Sequence, residues 1–277
     1  MLLAPDITAH ADGPALPRAR GTLRVASKLR DGKSALDRLH SAGCARALFP
    51  RRTDALEAIV VNTSGGLTGG DRFDIEATAG AGSRLVVTTQ AAERAYRSNS
   101  GRARVRSRLH VEVGATLCWL PQELLVFDGA ALDRRLEVEI EDTAEFIMAE
   151  PVAFGRLSMG ETVTRADFLD RVSVHRDNRL LYEDRVALTG DISARLGQAA
   201  VAAGMAAMAS ALYVGRRAER LLPMMRALLP ATGGASLLRP DVLVVRVLAR
   251  DGFELRRTLC PVLEALSNAA LPRSWRL

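Results

Sequence analysis

Four glycines followed by an acid are the first place in the chain where residue types suggest chemistry: Gly65-Gly66-Leu67-Thr68-Gly69-Gly70-Asp71. Glycine reaches positive φ and lets a ligand or another stretch of backbone approach closely. Gly65, Gly66, Gly69 and Gly70 therefore describe a chain folded tightly on itself. Asp71 stands where it could cap free amides, take a cation or face a partner. The loop is not a phosphate cradle. Asp71-Arg72 occupies the place where a P-loop needs Lys and then Ser or Thr, and an acid there repels phosphate. The dinucleotide fingerprint fails as well: the spacing differs, and a strand pattern at Phe73 and Ile75 follows instead of a helix.

Other catalytic patterns are missing. There is no metalloprotease helix motif, nucleophile elbow or paired-cysteine site. His10, His40, His110 and His175 stand apart from one another in sequence. Cys44, Cys118 and Cys260 are widely spaced and odd in number, as expected of reduced thiols. Cys118, inside Leu117-Cys118-Trp119-Leu120, reads as a core residue. The balance favours a binding protein. The alternative is an enzyme whose site forms around the glycine loop with Gln90, Gln122 and Glu123.

The elements that must position these residues are mostly strands. Residues 1–19 read as a flexible tail without the basic start and apolar core of a signal peptide, and residues 20–277 as one β-rich domain. Residues 21–29 alternate apolar and polar, and Asp31-Gly32 signals a turn. Residues 45–49 suggest a further strand before Pro50. Three later stretches resemble one another: strand, tight turn, strand and a polar end, over residues 73–90, 109–122 and 136–150. A period of roughly thirty residues is that of stacked units. The expected fold is mainly β, with stacked β-helix-like or sandwich-like strand repeats. A few short helices are added, two of them near the C-terminus (residues 216–229 and 256–270). Residues 168–188 read as two strands around Asp177-Asn178, residues 242–249 as an apolar strand, and residues 199–214 as either helix or strand.

Two strands carry charge in rows. Arg102, Arg104, Arg106, Arg108 and His110 share one face, as do Glu137, Glu139 and Glu141. Neighbouring strands would pair these rows on a solvated face, the default reading of both; docking of an acidic partner is the alternative for the arginines. The chain of 277 residues carries a net charge of +6, and almost all of its positive charge is arginine. With 4% aromatic residues there is little to stack on bases, so acidic proteins fit better than nucleic acid. No apolar run of about 18 residues occurs, which argues against a membrane span and for a cytoplasmic protein.

The glycine loop with Asp71 continues into Thr88-Thr89-Gln90-Ala91-Ala92-Glu93-Arg94-Ala95-Tyr96-Arg97-Ser98. Further blocks follow in order: Trp119-Leu120-Pro121-Gln122-Glu123, Phe127-Asp128-Gly129-Ala130, Glu150, Gly155-Arg156, Met159-Gly160-Glu161 and Leu271-Pro272-Arg273-Ser274-Trp275. From about Arg18 to its end the chain resembles the urease accessory protein UreD (UreH) family. That resemblance implies a non-enzymatic scaffold for nickel insertion into apo-urease. It implies binding to UreF, to the GTPase UreG through UreF, and to the urease apoprotein. A dimer of the accessory complex is compatible with it. No tightly bound cofactor is implied, only transient nickel(II). Asp71, Glu123 and Glu150 are the acids expected along one nickel path. Asp74, Glu76 and Asp128 are further candidates for its lining. Thr88, Gln90, Tyr96, Arg97, Gln122, Asp128, Arg156 and Glu161 are candidates for the path or for partner contacts. Carboxylates suit such a task, because thiolate and imidazole ligands hold nickel too tightly for release.

Overall fold

A computed structural model describes residues 17–156 and 160–276. The expected tail falls largely outside the described residues, and so does Met159. The chain opens with β1 (Arg20–Arg30), β2 (Lys33–Gly43), β3 (Ala45–Leu48) and β4 (Leu56–Asn62). Three coils then follow the recurrence read from the sequence. They are β5 (Arg72–Ala79), β6 (Arg84–Thr89) and β7 (Glu93–Ala95); β8 (Ala103–Val111), β9 (Thr116–Leu120) and β10 (Leu124–Val126); and β11 (Ala131–Ile140) with the long β12 (Glu145–Phe154). The remainder is β13 (Ala166–Arg176), β14 (Arg179–Gly190), α1 (Ile192–Gly197), β15 (Ala207–Val214), α2 (Ala218–Leu228), β16 (Gly233–Arg239), β17 (Val242–Ala249) and α3 (Gly252–Ser267).

The coils stack as a solenoid. Successive strands alternate between two sheets, so that like positions lie side by side in parallel. Ile75, Ser107, Leu136 and Val172 form one internal row, and Leu85, Leu117 and Phe146 another. On a third, short side Leu67, Ala95, Val126 and Phe154 align. The tight corner between sheets repeats with the coil. Ser83, Ala115 and Ala144 each donate to the carbonyl three residues back. The residue before each donor is left-handed: Gly82, Gly114 and Thr143, with φ of 66°, 65° and 62°. Antiparallel strands finish both ends. One sheet runs β14-β13-β11-β8-β5-β1-β2, the other β16-β17-β15-β12-β9-β6-β4-β3.

Two cores result. The first fills the coils. The second lies between the far side of β12, β15 and β17 and the helices α2 and α3, around Ile147, Tyr213, Val245, Leu259 and Trp275. This explains why every residue of β12 after Glu145 is buried: both of its faces are covered.

Several expectations needed adjustment. Residues 207–214 are strand, because the run packs in the middle of a sheet despite its helix-favouring composition. α2 continues through Pro223. α3 begins four residues earlier than read, at an Asp-x-x-Glu start: Asp251 accepts from the Glu254 amide, and Glu254 accepts from the Arg250 amide.

Candidate functional site

A cavity of about 260 Å³ lies inside the solenoid. Phe73, Ile75 and Leu132 wall it from one sheet, Val60 and Trp119 from the other, and Leu67 and Leu124 from the short third side. It reaches the surface beside the exposed Gln90 and Ala91. Its lining includes Glu93, Arg94, Arg134, Arg135 and Glu150, although the Arg135 guanidinium turns outward to Asp133.

Glu150 enters because it shares the inward phase of β12 with Phe146, Met148, Val152 and Phe154. It accepts from Trp119 Nε1 at 2.6 Å and pairs with Arg134 Nη1 at 2.5 Å. Arg134 in turn forks Asp170 at 2.9 and 2.6 Å. Burial pushes the Glu150 carboxyl up to about 6, against the pull of Arg134. Burial also opposes the charge of Arg134, but Asp170 and Glu150 outweigh it and hold the guanidinium above its ordinary value. Two carboxylates against one guanidinium leave this network one negative charge in excess.

Glu93 supplies a second negative charge. It accepts from Asn62 Nδ2 at 3.1 Å and from the Arg94 amide at 3.1 Å, and makes no ion pair among the described residues. Burial raises its carboxyl, and those two donors offset the rise only in part. The cavity is therefore apolar over most of its wall, with two carboxylates in it, of which Glu93 has no cationic partner among the described residues. Such a space offers a cation single carboxylates and no chelating cluster. Among the described residues no three His, Cys, Asp or Glu side chains are grouped closely enough to hold a metal ion. Burial drives the Cys118 thiol up to about 11, so it stays protonated in the core.

Of the three acids expected on one path, only Glu150 lines this cavity. Asp71 is buried and turned into its own loop, where it accepts from the Thr68 and Ala19 amides at 2.8 Å each. Glu123 is buried against α3, clamped by Arg256 at 2.9 and 2.5 Å. Gln122 accepts from the same guanidinium at 2.8 Å while its amide donates to the Thr89 and Gln90 carbonyls. Arg256 lies over the Trp275 ring, and Trp275 Nε1 donates to the Leu120 carbonyl. This group fastens the C-terminal segment to the coils. Thr88 bonds the Leu120 carbonyl beside it. Asp74 and Glu76 face outward, Glu76 between Arg24 and Arg108.

The remaining candidates meet at the third corner. Tyr96 and Phe127 pack with ring centroids 5.4 Å apart, and Arg156 lies over Phe127. Arg97 pairs with Asp128 at 2.7 Å, and Arg156 with Glu161 at 2.9 Å. Asp128 also accepts from the Arg165 and Thr164 amides, which hold its carboxyl below the usual range. Phe127 is buried, but Tyr96, Arg97 and Arg156 are exposed. The glycine loop supports this corner: a Cβ on Gly66 would lie 2.3 Å from the Tyr96 ring, and one on Gly69 would lie 1.9 Å from Ser98 Oγ.

Arg134, Asp170 and Glu93 were not among the residues singled out from the sequence. The first two carried a signal. Arg134 falls in phase with Leu132, Leu136 and Val138, and Asp170 with Phe168, Val172 and Val174. A charge in phase with an apolar face marks an internal ion pair or a lined space. Glu93 sits on a three-residue strand, too short to have a phase.

A family model described as UreD urease accessory protein matches residues 19–276. A urease accessory protein UreD of Roseobacter denitrificans is 48% identical over 262 residues, covering 94% of this chain and 96% of that protein. That of Ruegeria pomeroyi is 48% identical over 257 residues, covering 92% and 100%. That of Agrobacterium fabrum is 45% identical over 262 residues, covering 94% and 92%. With the motif blocks of the glycine loop, the third corner and the C-terminal fastening all falling within the matched span, the chain belongs to the UreD urease accessory protein family.

Proposed function

We propose that this protein is a cytoplasmic scaffold of urease maturation. It binds the urease apoprotein and the accessory protein UreF, and through UreF the GTPase UreG, and it catalyses no reaction itself. Nickel(II) is its cargo. The observation that carries this reading is the cavity, which holds the Glu93 and Glu150 carboxylates between apolar walls. A cation entering it meets single carboxylates rather than a chelating cluster, so that it binds weakly enough to leave. Tyr96, Arg97 and Arg156 at the third corner are the proposed partner contacts, since exposed aromatic and arginine side chains dominate interface energetics.

The test is urease activation in cells whose own copy of this protein is deleted. Glu93→Gln combined with Glu150→Gln is expected to leave the accessory complex assembled while lowering the nickel content of urease at least several-fold. Full nickel loading by that variant would reject the passage. Loss of assembly with Tyr96→Ala and Arg156→Ala, without loss of folding, supports the contact surface.

A further inference from the structure

The outer face of the seven-stranded sheet carries arginines in an arrangement that its own acids do not balance. Arg20, Arg72 and Arg104 stand abreast on β1, β5 and β8. Arg106, Arg135, Arg171 and Arg185 stand abreast on β8, β11, β13 and β14. Like charges directly opposite on neighbouring strands repel and destabilise the sheet. In the second row Asp133 serves both Arg106 and Arg135, and Glu183 serves both Arg171 and Arg185 at 3.5 Å. The first row makes no ion pair among the described residues. The adjoining row shows how the same sheet neutralises itself elsewhere: Arg24, Glu76, Arg108 and Glu137 alternate, with contacts of 3.0, 3.0 and 3.9 Å.

We propose that the row Arg106–Arg135–Arg171–Arg185, extended by Arg20, Arg72 and Arg104, is a docking surface for a partner protein presenting an α-helix with a stripe of carboxylates. This rests on the scaffold reading above and specifies one of its surfaces. Spacing favours the helix. Neighbouring strands lie about 4.8 Å apart, so the row of four spans about 14 Å. Acids one helical turn apart repeat every 5.4 Å or so, and four of them span about 16 Å. Long guanidinium side chains absorb that difference, and each guanidinium is shaped to take a carboxylate in a two-pronged bond. A nucleic acid fits less well. Its continuous phosphates would run against Glu76 and Glu137 in the next row, and neither arginine row contains an aromatic side chain on which a base could stack.

The experiment uses the full chain and two charge-reversal pairs. Arg135→Glu with Arg171→Glu alters the proposed surface, where these side chains are 43% and 39% exposed. Arg24→Glu with Arg108→Glu alters the self-neutralised row. The probe is a synthetic helical peptide with Glu at positions i, i+4, i+7 and i+11; its Gln counterpart is the blank. The first pair is expected to weaken peptide binding at least about tenfold, and the second to leave it within about twofold. Equal effects of both pairs, no peptide binding by the unaltered chain, or preferential binding of a single-stranded oligonucleotide at the same row would overturn the proposal. If the reversed pair fails to fold, Arg135→Gln with Arg171→Gln reads the same difference. Urease activation separates this surface from the broader reading. Activation that survives the reversed pair but not deletion of the protein keeps the maturation role and removes the arginine rows from it.

Discussion

Glu93 and Glu150 reach the same cavity with different neighbours, and their titration reflects this. Both carboxyls are raised above the ordinary value of 4.5, Glu150 to about 6. A raised acid binds more protons folded than unfolded, so its contribution to stability falls as pH rises from 4.5 through the folded value. Glu93→Gln removes that loss. The stability difference between variant and parent is therefore expected to move in favour of the variant between pH 4.5 and pH 7, read as urea midpoints at both. Asp71 calls for the opposite treatment. Its two amide donors would be left without an acceptor in Asp71→Ala, which is expected to cost about 1–3 kcal/mol by chemical denaturation. The glycine loop and Asp71 could be read from sequence because turn chemistry is local. The destination of the Asp71 carboxylate could not, since one of its donors, Ala19, belongs to a distant segment.

At the scale of elements, α3 is held less by its own capping than by one guanidinium. Arg256→Ala leaves Glu123 buried without its cation and frees the ring of Trp275. A loss of about 3 kcal/mol is expected in the unfolding free energy, as for a broken buried pair. A stability within about 0.5 kcal/mol of the parent would show that the fastening is idle. The repeated strand-turn-strand units were legible because alternation and left-handed turn residues recur in each coil. β2, β16 and α1 were not. β2 is an edge strand exposed along most of its length, so nothing forces its residues to alternate. β16 is another edge strand, begun by Gly233-Gly234, and α1 has only six residues. The charge rows were seen on β8 and β11, and β8 and β11 do pair, with Glu137 opposite Arg108 and Glu139 opposite His110. The four arginines standing abreast were invisible, because only register across β11, β13 and β14 creates them.

Across the whole molecule the parallel coils are enclosed by neighbours and the antiparallel margins are not. Amide exchange is expected to be slowest in β9, β11 and β12 and fastest in β2, β14 and β16, measured by mass spectrometry of the intact chain. Uniform exchange across the strands would contradict a solenoid with a protected middle. The stacked arrangement also has a bearing on how the polypeptide is made. Neighbouring rungs join residues about thirty positions apart, so a rung leaving the ribosome has an unsatisfied edge until the next one emerges. β1 waits for β5, with Arg20 paired to Arg72. Arg84 bonds the Ser267 carbonyl across 183 residues and Trp275 the Leu120 carbonyl across 155, so these bonds are among the last to close. Assembly during synthesis thus runs in one direction, with apolar surface open to misassociation at the growing end until the next rung covers it, and with the far side of β12, β15 and β17 bare until α2 and α3 pack on it.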